Sequence, residues 1–214
     1  MGTIKKGILG GFSGKVGNVV GASWKGVDYI RSLPSKVRNP RSKGQVAQRT
    51  RFSLIAKFVR ALLPVIRVGF KQSAGAYNSA YSAAVSYNVQ NAVKGEHPDF
   101  EIDFSNAMLS KGGLTGTYEA TATREPGILN AEWEPVARGN ASVEDHVVIA
   151  AYNPIKEEAM YDLHAASRGD GSGELQLPTA WDGDEVEAFV MFISEDGKQV
   201  SDSVYTGRLE ATAG

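Results

Sequence analysis

Apolar residues change their spacing twice along this chain. Between Val16 and Leu33 the β-favouring side chains Val16, Val19, Val20, Trp24, Val27, Tyr29 and Ile30 flank Lys25-Gly26, which predicts a two-stranded hairpin. An isolated hairpin is marginal in water, so this one is expected to dock on its own helices or on a neighbouring subunit. The period then becomes helical. Phe52, Ile55, Val59 and Leu62 recur at three- and four-residue spacing and form an apolar stripe, and Ser42-x-x-Gln45 has the form of a capping box. A helix is predicted from Ser42 to Leu63. Gln48 and Arg51 fall near its stripe, and Arg51 is expected to lay its stem there with its head in water. Pro64 has no N–H to give residue 60, so the helix kinks or restarts at that point. A further helix fits Ala76 to Val93.

Beyond Phe100 the period is two. Strands are predicted at Phe100–Ser110, Gly116–Thr123, Gly127–Trp133, His146–Tyr152, Ala159–Ala165, Gly173–Leu177, Glu185–Ile193 and Gln199–Leu209, with turn residues between them. Asp196-Gly197 closes the last pair as a hairpin. Short strands punctuated this regularly predict an antiparallel sandwich of about seven strands. Trp133 on an early strand, Tyr152 on the next, Leu175-Gln176-Leu177-Pro178 before a turn and the paired late strands resemble a fibronectin type III or related immunoglobulin-like module. The fold class expected is therefore α+β: an N-terminal β-hairpin plus helical hairpin, followed by an antiparallel immunoglobulin/fibronectin III-like β-sandwich. The boundary is expected at Gly95-Glu96-His97-Pro98, giving a hairpin-plus-helices assembly domain over 1–95 and a β-sandwich domain over 96–214.

Charge sharpens this division. The net charge of −1 conceals a split: residues 1–75 carry fifteen Lys and Arg against the single acid Asp28, while the rest carries eight bases and 23 acids. Such a dipole suits nucleic acid, an acidic protein surface or the acidic half of another copy as partner. By contrast, Gln72 to Val93 contains no charged side chain. Charge depletion with Tyr77, Tyr81 and Tyr87 suits a packed face, and these tyrosines are the candidate oligomer interface.

Eight glycines lie between Gly2 and Gly26, a density that signals tight turns or backbone pressed against another surface. A phosphate-binding loop is excluded at Gly14-Lys15, where Leu9 and Val16 stand in place of the required glycine and hydroxyl. The run GFSGKVGNVVG, the following Trp-Lys-Gly and the segment Asn39 to Phe52 resemble a Bacteroidetes protein family of similar length. Within that segment Asn39, Pro40, Ser42, Gln45, Arg49 and Phe52 resemble a recurring element of phage-associated proteins. The resemblance implies a mobile-element or virion context and brings no activity or functional residues with it.

Little points to chemistry. With no cysteine there is no disulfide, thiolate nucleophile or cysteine-bound metal. The histidines are His97, His146 and His164; the last two can meet across a sheet but have no short ligand spacing. Gly-x-Ser-x-Gly does not occur, and the carboxylate pairs sit as neighbours in turns rather than facing one another. No catalytic residue, metal site or cofactor is assigned. No apolar run reaches the roughly 18–20 residues of a membrane helix, and no signal peptide is recognised, so synthesis in the cytoplasm is expected, with the virion as a candidate destination. The expectation is a non-enzymatic structural or assembly protein, homo-oligomeric, docking through its basic N-terminal region onto other subunits or acidic protein. The alternative is a nucleic-acid clamp with Lys36, Arg38, Arg41, Lys43, Arg49, Lys57 and Arg60 on phosphates and Trp24 or Tyr29 stacking on bases. A third possibility is carbohydrate adhesion through the sandwich loops, with Trp181 as the aromatic platform.

Overall fold

A computed structural model describes residues 3–4, 11–24, 27–34, 42–74, 78–117 and 119–210. The chain divides into two compact units, Met1–Gln45 and Val46–Gly214. The first is an antiparallel sheet of strands β1 (Thr3–Ile4), β2 (Phe12–Val16), β3 (Val19–Trp24) and β4 (Val27–Ser32), in the order β1-β2-β3-β4. The predicted hairpin is β3–β4, in register from Val19↔Ser32 to Trp24↔Val27, while its turn residues Lys25 and Gly26 lie outside the described residues. Gly21 shows why this segment is rich in glycine. It is buried opposite Gly14, and a Cβ there would overlap the Phe12 carbonyl.

Helix α1 (Lys43–Ala61) opens with the predicted capping box: the Ser42 amide donates to Gln45 Oε1 and the Gln45 amide to Ser42 Oγ, both at 3.4 Å. The helix stops before Leu62, and Pro64 lies in the first turn of α2 (Leu63–Gly69), where its missing N–H is harmless. Helix α3 (Ala80–Asn91) begins later than the predicted Ala76 because Ser79 caps it, accepting the Ser82 amide at 3.1 Å. Gly69 lies against the loop that follows, where a Cβ would overlap the Leu109 carbonyl.

The chain then forms the hairpin β5 (Val93–Glu96) and β6 (Asp99–Ile102). The long strand expected over Phe100–Ser110 is therefore short; it yields to a single 3-10 turn, Phe104–Asn106, closed on Asp103. Seven strands follow: β7 (Ala120–Glu125), β8 (Ile128–Trp133), β9 (His146–Asn153), β10 (Glu158–Ser167), β11 (Ser172–Gln176), β12 (Val186–Ile193) and β13 (Val204–Leu209). They make two antiparallel sheets, β10-β9-β12-β13 and β11-β8-β7.

Alternation along the central strands explains how these layers stack. On β9, Val147, Ile149 and Ala151 join one apolar cluster with Leu129, Ala131, Trp133 and Leu175 of the three-stranded sheet. Val148, Ala150 and Tyr152 point the other way, into a second cluster with Ile55, Phe58, Val59, Leu62 and Ile66 of the helices. Strand β12 divides likewise, with Val186, Ala188, Val190 and Phe192 on one side and Phe189, Met191 and Ile193 on the other. All eight of its residues are buried, hence its nearly unbroken apolar reading. The helices are thus a layer over the four-stranded sheet. The cut expected at Gly95–Pro98 falls in the β5–β6 turn, inside the unit 46–214, because this shared core spans it.

The stripe of α1 is also displaced from the one expected. Ile55, Val59 and Leu62 are buried together with Phe58, but Phe52 is half exposed. Gln48 is exposed, and Arg51 lays its guanidinium 4.5 Å from the centre of the Phe100 ring.

Candidate functional site

Register assigns the faces of the N-terminal sheet. Lys15, Val20 and Arg31 stand in one row across β2, β3 and β4, with Ala22 beside Tyr29 and Trp24 beside Val27 on the same face. The opposite face carries Val16 beside Val19, Ser23 beside Asp28, and Ile30 across from Gly21. All six residues of β4 are exposed, Val27 and Ile30 at 65% each. Trp24 is 50% exposed, and Val16, Val19 and Tyr29 are also exposed. Large apolar side chains thus meet solvent on both faces of one small sheet, where a stable sheet of this size covers at least one. Trp24 and Tyr29, singled out from the sequence, share one of these faces.

The basic residues named with them are distributed differently. Lys43, Arg49, Lys57 and Arg60 are exposed on α1, and Lys57 is paired with Glu157 at 2.8 Å. Lys36, Arg38 and Arg41 lie outside the described residues. Of the three tyrosines, Tyr77 lies outside them too. Tyr81 and Tyr87 are half-buried against the helical core, with the Tyr87 ring 6.4 Å from Phe70 and Lys111 Nζ 4.6 Å from its centre. The outward side of α3 is Ser82, Ser86 and Gln90. With Gln48 and Phe52 of α1 these line an open groove of about 320 Å³ without a charged side chain.

Elsewhere, several buried polar side chains of the second unit are held by hydrogen bonds and ion pairs within it. Arg168 and Asp145 form an ion pair at 3.1 Å with exposures of only 1% and 2%. The guanidinium also donates to the Thr115 and Gly116 carbonyls and lies 3.9 Å from the centre of the Phe192 ring; burial lowers its pKa, opposed by Asp145. Asn88 donates to the Ala84 and Met108 carbonyls and accepts the Met108 amide, tying α3 to the loop before β7. Buried Glu187 accepts from Tyr205 and Arg208, and burial, followed by this carboxylate, pushes the Tyr205 phenol well above its ordinary range. Lys156 and Asn153 hold Asp184 below the usual carboxylate value.

These networks were missed by the sequence reading for different reasons. Asn88 occupies an apolar-stripe position with Tyr81, Ala84, Val85 and Ala92, a spacing that marks it as buried. Arg168 and Asp145 are 23 residues apart, and no local pattern joins them. Trp181, the platform required for carbohydrate adhesion, is buried, with its indole N–H given to Glu158 at 3.3 Å. His146 and His164 do meet, ring centres 4.6 Å apart and edge to face. Among the described residues no three His, Cys, Asp or Glu side chains gather as a metal site, and no helix is long and apolar enough to cross a membrane.

The N-terminal sheet thus presents large apolar side chains on both of its faces, and Arg168–Asp145, Asn88 and Glu187 of the second unit are held by partners within that unit. The chain belongs to a family of unknown function, DUF6266, whose model matches residues 11–207. No curated protein matches it.

Proposed function

We propose that this is a non-enzymatic structural protein whose N-terminal sheet is covered by other subunits of an assembly. The observation that carries the proposal is the exposure of Trp24, Val27, Tyr29 and Ile30 on the two faces of β3–β4. Covering side chains of this size is worth on the order of 1 kcal/mol each when half of their surface is already buried. A chain that keeps them in water at that cost has a use for them in association. The second unit then serves as the displayed body. Its two sheets, β11-β8-β7 and β10-β9-β12-β13, with Trp133 and Leu175 in the shared core, support the immunoglobulin or fibronectin III-like reading. The likeness of Asn39, Pro40, Ser42, Gln45, Arg49 and Phe52 to a recurring element of phage-associated proteins supports a phage or phage-derived particle as the setting.

A nucleic-acid clamp is the competing reading, favoured by the exposure of Lys43, Arg49 and Arg60 on α1 alongside Trp24 and Tyr29. Light scattering with and without nucleic acid separates the two. Assembly predicts a mass that rises with protein concentration and is indifferent to added nucleic acid. A monomer that retains nucleic acid, with affinity falling steeply on a log–log salt plot, would replace the assembly reading by the clamp.

A further inference from the structure

Strand β4 is the outer strand of its sheet among the described residues, and its open edge has a defined hydrogen-bonding phase. The Leu33 amide donates to the Asn18 carbonyl at 2.7 Å, in continuation of the β3–β4 register. Bonded and unbonded pairs alternate in an antiparallel ladder. Val27, Tyr29 and Arg31 therefore turn their backbone groups toward β3, whereas Asp28, Ile30 and Ser32 turn theirs outward. Among the described residues that leaves three N–H and three C=O groups unpaired on an edge without proline, the arrangement that recruits another strand.

We propose that a second copy of this chain occupies that edge, β4 against β4, antiparallel and centred on Ile30, merging two four-stranded sheets into one of eight. The inference rests on the assembly reading and names its partner. A two-fold axis perpendicular to the sheet keeps each face continuous, so only registers that pair residues of one face are open to it. Centring on Ile30 sets Ile30 opposite its own copy and Asp28 opposite Ser32 on either side. All three outward-facing residues then exchange backbone hydrogen bonds. On the other face the same register sets Tyr29 opposite Arg31 twice, a cross-strand aromatic–guanidinium pair. Centring on Tyr29 instead leaves Ser32 beyond the described partner strand and puts Asp28 against Ile30. The strand is locally neutral, with Asp28 and Arg31 its only charged residues, although the surrounding segment is strongly basic. Salt that screens this mutual repulsion therefore tightens the pairing, the opposite of its effect on a nucleic-acid clamp. One six-residue strand is a small contact beside the roughly 1,200–2,000 Å² of a stable complex, so a dissociation constant on the order of micromolar is expected.

The test is sedimentation velocity of the full chain from low to high micromolar concentration, with variants at exposed positions. Ile30→Lys sets two ammonium groups face to face across the axis and is expected to weaken the dimer about tenfold or more, with an unchanged circular dichroism spectrum. Because the chain has no cysteine of its own, register can be read covalently. Hydrogen-bonded partners have Cα atoms about 5.5 Å apart, within the disulfide range of about 4.4–6.8 Å, so oxidised Ile30→Cys should link two chains while Tyr29→Cys should not. Linkage at Cys in place of Tyr29 and not Ile30 would overturn the register. If the wild type associates, Ile30→Lys leaves it unchanged and the pair Val16→Ser and Trp24→Ser makes it monomeric, edge pairing is wrong and the assembly reading survives. A wild type that stays monomeric at every concentration overturns both.

Discussion

Replacing Arg168 by Met tests the ion pair of the second unit in which both partners are buried. Methionine fills much of the same channel and preserves packing on Phe192, but it removes every donor of the guanidinium. Asp145, 2% exposed, keeps the Ser142 amide and loses its counter-charge, while the Thr115 and Gly116 carbonyls lose their donors. Breaking one side of a buried ion pair costs about 3–5 kcal/mol, because the remaining ion stays desolvated and uncompensated. For a chain of this length each kcal/mol lowers the melting temperature by about 2–4 °C, so a drop of about 6–20 °C is expected. Asp145→Asn should cost less, since the amide oxygen can still accept from Ser142 and the cation keeps two carbonyls. The double variant should be more stable than the sum of the single losses by about 1–3 kcal/mol. Urea unfolding followed by tryptophan fluorescence measures all three, with Trp133 reporting directly because its indole N–H donates to the Arg168 carbonyl at 2.8 Å. A loss below about 1 kcal/mol for Arg168→Met would show that the pair contributes no more than a surface one, and the argument from burial would fail.

Two further outcomes follow from the same unit. Asn88→Ala strips the Met108 amide and carbonyl of their side-chain partners and should cost about 2–4 kcal/mol, with faster hydrogen exchange at the Met108 amide; unchanged exchange would refute the tie between α3 and that loop. Burial, reinforced by Glu157, pushes the Tyr152 phenol up to about 12, so its contribution is complete below the unfolded value of about 10 and is lost as pH rises from there through about 12. Unfolding midpoints at pH 9 and pH 11 should fall in the wild type and fall less in Tyr152→Phe; equal slopes would remove Tyr152 from the alkaline transition.

Much of this architecture can be read from local chemistry. Ser42 and Gln45 announce the start of α1, Pro64 marks its interruption, and the alternation in β7 and β8 separates covered from open positions before any coordinates are known. What cannot be read this way depends on what lies across space. The wholly buried β12 looks like one apolar run because two different layers claim its alternate residues, and Glu187 hides in that run with partners supplied by β13. Phe52 fits the periodicity of its helix but faces a groove, since the stripe of α1 is centred instead on Phe58 and its contacts with Phe104 and Tyr152. For the candidate interface, the sequence marks Trp24 and Tyr29, but their shared face depends on register and so does the outward phase of Asp28, Ile30 and Ser32.

The placement of α1, α2 and α3 over the four-stranded sheet limits how this protein can be dissected. A fragment starting at residue 96 would leave Val148, Ala150, Tyr152, Phe189 and Met191 as a bare oily slab, prone to clumping rather than refolding as a tidy module. The helical stretch, made separately, would be the natural lid for that slab. The smallest piece that can be excised cleanly therefore begins near Ser42, which keeps the capping box of α1, and proteases acting on the folded chain should find no quick route between the helices and the strands they cap.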